Sequence, residues 1–155
     1  MTPGIELAKK AKLSHKVHEY SHDSSSDSYG LEAAEKLGVP PGQVFKTLVV
    51  SLDKRELAVG VVPVSSMLSM KQIARAAGAK KAVMATPEEV ERSTGYVLGG
   101  VSPLGQKKRL RTFIDNSAMD QATIFISAGR RGLEIELSPA DLARLLQAEF
   151  ADLGH

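Results

Sequence analysis

Two apolar, β-branched runs, Phe45–Leu52 and Leu57–Val62, are separated by little more than the turn residues Asp53-Lys54-Arg55. No other feature restricts the fold as much, because such a pair reads as an antiparallel hairpin whose side chains alternate between two faces. The remaining elements must pack around it. Thr2-Pro3 reads as an N-cap followed by proline at the first helical position, opening a helix near residues 3–11, with Lys9 and Lys10 at its negative end. A short strand is expected over Lys16–Tyr20, a loop over Ser21–Ser28, and a helix over Leu31–Leu37 that Gly38 ends in a left-handed cap before Pro40-Pro41.

Beyond the hairpin, Ser69-x-x-Gln72 and Thr86-Pro87-x-Glu89 read as capping boxes of two further helices, with a strand over Ala82–Ala85 between them. Strands follow over Arg109–Asp115, Thr123–Ser127 and Leu133–Leu137. Ser138-Pro139-x-Asp141 opens a last helix whose stripe is Leu142, Leu145, Leu146 and Phe150. Strands and short helices alternate without a βαβ repeat. The expectation is therefore one α+β domain over residues 1–155, built on a mixed, mostly antiparallel sheet flanked by short helices.

The 155 residues contain no cysteine, which removes disulfides, thiolate nucleophiles and cysteine-ligated zinc and suits a reducing compartment. Lys9, Lys10, Lys12 and Lys16 interrupt the first apolar stretches, so neither a signal peptide nor a membrane span is expected, and the chain reads as cytoplasmic. The net charge of +2 is too small to mark a nucleic-acid binder by itself. Its distribution is uneven: Lys107, Lys108, Arg109, Arg111, Arg130 and Arg131 lie in one region, and Glu134, Glu136, Asp141, Glu149 and Asp152 in another. Taken alone, these are readable as solvated faces.

Three segments carry possible chemistry. Lys46 shares a strand face with Leu48, Val50 and Leu52. It is either an edge lysine with its stem on apolar surface, or a cation aimed into a pocket to hold a phosphate, a carboxylate or an oxyanion. Gly95 to Gly105 holds four glycines and a proline. It is either a tight connection or a backbone cradle for an anion or a charged carbonyl oxygen, and it lacks the lysine of a phosphate loop. Ser127-Ala128-Gly129-Arg130-Arg131-Gly132 satisfies hairpin-turn chemistry, yet also offers a hydroxyl, backbone and two cations suited to the end of an RNA. His15, His18 and His22, near Asp23 and Asp27, read as loop histidines and not as a metal site.

Taken together, Phe45-Lys46-Thr47-Leu48, the segment from Gly99 through Lys108, and Ser127-Ala128-Gly129-x-Arg131-Gly132 resemble the bacterial YbaK/EbsC-type family of Cys-tRNA(Pro)/Cys-tRNA(Cys) deacylases. Thr2-Pro3, Glu32–Gly38 and Ser93-Thr94-Gly95-Tyr96 extend the likeness across nearly the whole chain. The resemblance implies the fold of the editing domain inserted in bacterial prolyl-tRNA synthetases. It also implies action in trans on the acceptor end of mischarged tRNA, in a ternary complex with prolyl-tRNA synthetase, without cofactor or metal. By the same resemblance Lys46 and the backbone of Gly99, Gly100 and Val101 are catalytic, while Tyr20, Tyr29, Thr47, Ser102, Pro103, Ser127, Ala128 and Gly129 form the pocket. Lys107, Lys108, Arg109, Arg111, Arg130 and Arg131 would contact the tRNA. Tyr29, where phenylalanine is common, and Ala128 depart from the family pattern and bear on selectivity.

In that family the cysteinyl thiol itself attacks the ester carbonyl, consistent with the absence here of a nucleophile paired with an activating base. Three other readings remain: a deacylase for another small amino acid such as Ala-tRNA(Pro), a non-catalytic module that binds tRNA or a synthetase, and a small-molecule anion-binding protein.

Overall fold

The computed structural model describes residues 1–23 and 29–154; the side chain of Tyr29, and with it that pocket expectation, lies outside the described residues, as does Asp27. In chain order the elements are α1 (Pro3–Lys10), β1 (His15–Glu19), α2 (Tyr29–Leu37), a 3₁₀ turn (Pro41–Gln43), β2 (Phe45–Leu52) and β3 (Glu56–Pro63). They continue with α3 (Met70–Ala77), β4 (Ala82–Met84), α4 (Pro87–Thr94), β5 (Arg111–Asp115) and a second 3₁₀ turn (Asn116–Asp120). The chain closes with β6 (Ile124–Arg130), β7 (Leu133–Leu137), α5 (Pro139–Leu146) and β8 (Glu149–Ala151).

The architecture is α+β, but the strands divide into two sheets where the sequence suggested one. Five form a mixed sheet in the order β4-β2-β3-β5-β8, and three form an antiparallel sheet in the order β1-β7-β6. The β2–β3 hairpin is the centre of the larger sheet, running from Phe45↔Pro63 to Leu52↔Glu56. β5 and β8 add in parallel, because each is reached by a crossover through helices and not by a tight turn. A single parallel bridge, Val44 to Phe125, links the start of β2 to the smaller sheet.

Burial follows from this layering. Phe45, Val49, Val59 and Val61 on one face of the large sheet meet Ile124, Ile126, Ile135 and Leu137 of the small one, with α1, α4 and α5 closing the rim. The opposite face of the large sheet, Val50, Leu52, Val62 and Phe113, is covered by Ile73 and Ala74 of α3. Ala33 and Ala34 of α2 cover Phe125 on the outer face of the small sheet. Each fully buried aliphatic or aromatic side chain contributes about 1.5–3 kcal/mol by leaving water.

The caps mostly form as the sequence suggests. The Thr86–Glu89 box is complete, whereas the one at Ser69 is half made: Ser69 accepts from Gln72 N–H, but the buried Gln72 Oε1 has no partner. The last helix is shorter than its stripe. Gln147 takes φ +53° and ends α5, so Phe150 reaches the core from β8. The Arg109–Asp115 strand begins two residues late, at Arg111.

The C-terminal segment is held by a carboxylate as well as by backbone, Ser69 N–H donating to Leu153 C=O (2.7 Å). Asp115, at the end of β5, accepts from Ser117 N–H and Oγ–H, Leu153 N–H (2.9 Å) and Gly154 N–H (3.2 Å). Removing it strands the buried Leu153 amide, at a cost of about 1–3 kcal/mol. Asp115→Ala should therefore lower the urea midpoint with an unchanged m-value; an unaltered midpoint would show that backbone pairing and apolar contacts hold the segment without the carboxylate.

Candidate functional site

Where the two sheets meet beside α2 lies a pocket of about 310 Å³, lined by Tyr20, Lys46, Thr47, Gly99, Val101, Ser127, Arg130 and Arg131 among others. The strand hairpin, the glycine-rich segment and the β6–β7 turn thus converge on one cavity.

β2 supplies the first wall. Val64 N–H donates to Val44 C=O (2.8 Å), which fixes the even-numbered residues of β2 as those bonded to β3 and turns the backbone groups of Phe45, Thr47 and Val49 to the other edge. β4 pairs with that edge only from Val50 to Leu52, and Ala85 N–H takes the carbonyl of Val49. The Thr47 N–H and C=O are left facing the pocket. Its Oγ1 is buried without a partner. Lys46 is half-buried, and burial pulls its ammonium pKa below the ordinary lysine value. Among the described residues it makes no hydrogen bond or ion pair. A desolvated cation and an unsatisfied hydroxyl in one cleft are groups that a ligand would complete.

The glycine-rich segment packs against the β6 irregularity. Between Ser127↔Glu134 and Arg130↔Leu133 the register shifts, leaving Ala128 and Gly129 bulged, with Gly129 at φ +118°. A Cβ on Gly129 would lie 2.6 Å from the Tyr96 ring, one on Gly100 3.1 Å from Arg130 Cα, and one on Gly105 2.6 Å from the carbonyl carbon of Pro3. Thr2, the N-cap of α1, donates its hydroxyl to the Ala128 carbonyl. The bulge is therefore clamped between α1 and the loop, while Ser127 Oγ accepts from Gly129 N–H (3.1 Å).

These contacts sort the expected site residues. Gly100 N–H donates to Val97 C=O (3.0 Å), so it cannot also serve a ligand; the amides of Gly99 and Val101 donate to nothing among the described residues. Gly100, Ser102, Ala128 and Gly129 stand behind the wall as packing: Ser102 Oγ accepts from Leu104 N–H (3.2 Å), and Ala128 is fully buried. Pro103, Lys107, Lys108 and Arg109 line a second, separate cavity of about 470 Å³ together with Leu7, Leu145 and Leu146. Arg111 is brought to neither, because its guanidinium bonds Glu56 (3.2 Å) and Ala77 C=O and lies over Phe113. The histidines are not free loop residues: His15 and His18 belong to β1, with His15 Nδ1 on Leu13 C=O and His18 Nε2 on Glu136, while His22 pairs with Glu32.

Two contributions escaped the sequence reading. Gly30 and Ala33 let α2 come close, a Cβ on Gly30 falling 2.2 Å from Val64 Cγ1. Glu134 sits opposite Ser127, 6% exposed, with no hydrogen bond or ion pair among the described residues, and burial pushes its pKa up to about 8. Tyr20 is also raised, by burial first and then by Glu134. In the sequence Glu134 alternates with Leu133 and Ile135 and so reads as solvent-facing. The outer face of the small sheet is in fact covered there, because α2 packs over it and Gly30, Ala33 and Tyr20 line the same cavity as Glu134.

Comparison with known proteins places the chain among relatives. Residues 26–145 match the family model of the aminoacyl-tRNA editing domain. The chain is 36% identical over 153 residues to EbsC of Enterococcus faecalis, assigned as a Cys-tRNA(Pro)/Cys-tRNA(Cys) deacylase, covering 98% of this chain and 92% of that protein. It is 31% identical over 97 residues to a proline–tRNA ligase of Trichlorobacter lovleyi, covering 63% of this chain and 17% of the ligase. A crystal structure of a protein assigned as a trans-editing enzyme for prolyl-tRNA synthetase superposes with a TM-score of 0.81 at 29% identity, over 91% of this chain and 87% of the other.

The raised pKa of Glu134 has a sign that can be measured. Its folded-state value lies above the ordinary 4.5, so the folded protein retains a proton that the unfolded chain gives up. The stability it contributes is complete below about pH 4.5 and declines as pH rises toward about 8. Glu134→Gln should gain stability over the parent progressively across that window in urea titrations; a pH-independent difference would mean that the carboxyl is not desolvated.

Proposed function

Because the chain belongs to the aminoacyl-tRNA editing domain family, whose members deacylate aminoacyl-tRNA, we propose that it acts in trans to clear cysteine from mischarged tRNA(Pro) and from Cys-tRNA(Cys). The observation that carries this reading is Lys46, a partly buried cation that among the described residues has no partner, in a pocket whose described lining shows no nucleophile paired with an activating base. The chain has no cysteine, no histidine lines the pocket, and neither Thr47 nor Ser127 has a base within hydrogen-bonding reach. Such a site supplies position and charge; the nucleophile comes with the substrate.

The cysteinyl thiol attacks its own ester carbonyl. A sulfur–carbon bond forms, the ester bond to the terminal ribose breaks, the thiol proton ends on the released ribose hydroxyl, and a cyclic thiolactone leaves. Holding sulfur and carbonyl carbon in near-attack geometry removes roughly 7–11 kcal/mol of barrier. The amides of Gly99 and Val101 face the developing oxyanion, and one such donor is worth about 2.7–4 kcal/mol. Lys46 anchors the terminal adenosine through its phosphate, with Arg130 and Arg131 on the same wall. Lys107, Lys108 and Arg109 receive phosphates further along the acceptor strand. The likeness to part of a proline–tRNA ligase supports a complex in which that synthetase contributes tRNA recognition.

Lys46→Ala should lower Cys-tRNA turnover by about 100-fold or more while leaving the circular dichroism spectrum unchanged. In a panel of charged tRNAs, Ser-tRNA and Ala-tRNA, lacking the thiol, should react far more slowly than Cys-tRNA. Equal rates would establish attack by water, a preference for Ala-tRNA would reassign the substrate, and protection of every ester would make the protein a binder. Lys107→Ala should also reduce the slope of log affinity against log salt by roughly 0.7; an unchanged slope would take Lys107 off the RNA path.

A further inference from the structure

Among the described residues Glu134 is the one carboxylate in a pocket otherwise furnished with cations. Lys46 from β2, Arg130 at the end of β6 and Arg131 in the turn after it line the same cavity, as do the hydroxyls of Tyr20, Thr47 and Ser127. The remaining charged neighbours on this face are committed elsewhere: His18, paired across from Glu134 on β1, bonds Glu136 at 2.9 Å, and Glu32 of α2 bonds His22 at 2.7 Å. Glu134 itself projects from the middle strand of the small sheet directly opposite Ser127. It is 6% exposed and has no hydrogen bond or ion pair among the described residues.

A nearly buried carboxyl without a partner is costly unless a ligand completes it. Its sign identifies the ligand group. The 3′ end of an aminoacyl-tRNA carries negative phosphates, which suit Lys46 and the arginines, and one positive group, the α-ammonium of the amino acid. Of these, only the ammonium can draw this carboxyl into its ionised form, whereas a phosphate cannot, so the carboxyl fixes which way round the acceptor end enters. We infer that Glu134 receives the α-ammonium of the aminoacyl group and thereby makes the enzyme selective for esters with a free amine over N-acylated ones. The inference rests on the deacylase reading above and adds a substrate determinant to it.

Burial alone favours the protonated carboxyl, with its pKa pushed up to about 8. An α-amine with a pKa near 7.7–8.0 is charged at pH 6.5. Binding of that ammonium stabilises the carboxylate, so a proton leaves Glu134 for solvent as the ion pair forms.

Two measurements test this on the full chain. The first compares Cys-tRNA with N-acetyl-Cys-tRNA, each rate corrected for spontaneous hydrolysis. The parent enzyme should favour the free amine by about tenfold or more in kcat/KM, and Glu134→Gln should lose that preference by slowing on Cys-tRNA alone. The second titrates the amide-linked, non-hydrolysable 3′-cysteinylamino-3′-deoxyadenosine at pH 6.5 in buffers of differing ionisation enthalpy. The parent should release close to one proton on binding, and Glu134→Gln none. Equal slowing of both esters, or proton release that survives the substitution, would overturn the role of Glu134 and leave the deacylase reading intact. Absence of turnover on every charged tRNA, with Lys46→Ala no different, would instead sink the reading on which it rests.

Discussion

Backbone packed on backbone, with no room for a Cβ, is the constraint on which the pocket depends. Gly100 lies against Arg130 Cα, Gly105 against Pro3, and Gly129 under the Tyr96 ring. Two of these contacts join the glycine-rich loop to the β6 bulge and one joins it to α1, whose Thr2 bonds the Ala128 carbonyl, so the loop, the bulge and the first turn of α1 fix one another. Gly99, Gly105 and Gly129 also take positive φ, where any other residue would add strain to the clash. The loop has little regular structure and is nevertheless ordered by what it touches. Its free amides at Gly99 and Val101 are therefore held in place before any ligand arrives, which is the condition for electrostatic preorganisation.

The polar groups of the pocket show the opposite economy. Lys46, Thr47 Oγ1 and Glu134 are each withdrawn from water without a partner among the described residues. Elsewhere the chain satisfies comparable groups with care: Asp115 takes four hydrogen bonds, and Glu32 is bonded by His22 Nδ1 and by Asp23 N–H. The contrast within one molecule separates a carboxylate that holds the fold from one kept for a ligand. It also means that the site subtracts from stability, and the two covered faces of the β2–β3 hairpin supply the compensating burial.

Much of this was legible in the residues. The hairpin, the helix caps at Thr2 and Thr86 and the left-handed glycine at 38 follow from local rules, because alternation, side-chain capping and positive φ act over a few positions. The convergence of the three motifs was legible only through family resemblance, since nothing local tells β2 that β6 lies beside it. Three things were not readable. The division into two sheets depends on a single bridge, Val44 to Phe125. The end of α5 at Gln147 lacks the glycine that usually announces such a cap. The burial of Glu134 depends on α2 and the pocket roofing β7, and an alternating strand looks the same in sequence whether its polar face meets solvent or a cavity.

The hydrogen bond from Thr2 to the Ala128 carbonyl spans 126 positions of sequence. β1 likewise waits for β7, with His15 opposite Leu137. During synthesis from the N-terminus, the bulge cannot be clamped until residues past 130 have left the ribosome, and the long loop so closed is slow to form. The central hairpin can pair much earlier. The pocket is thus assembled after its scaffold, so a nascent chain carries the protein's most apolar strands before it carries its activity.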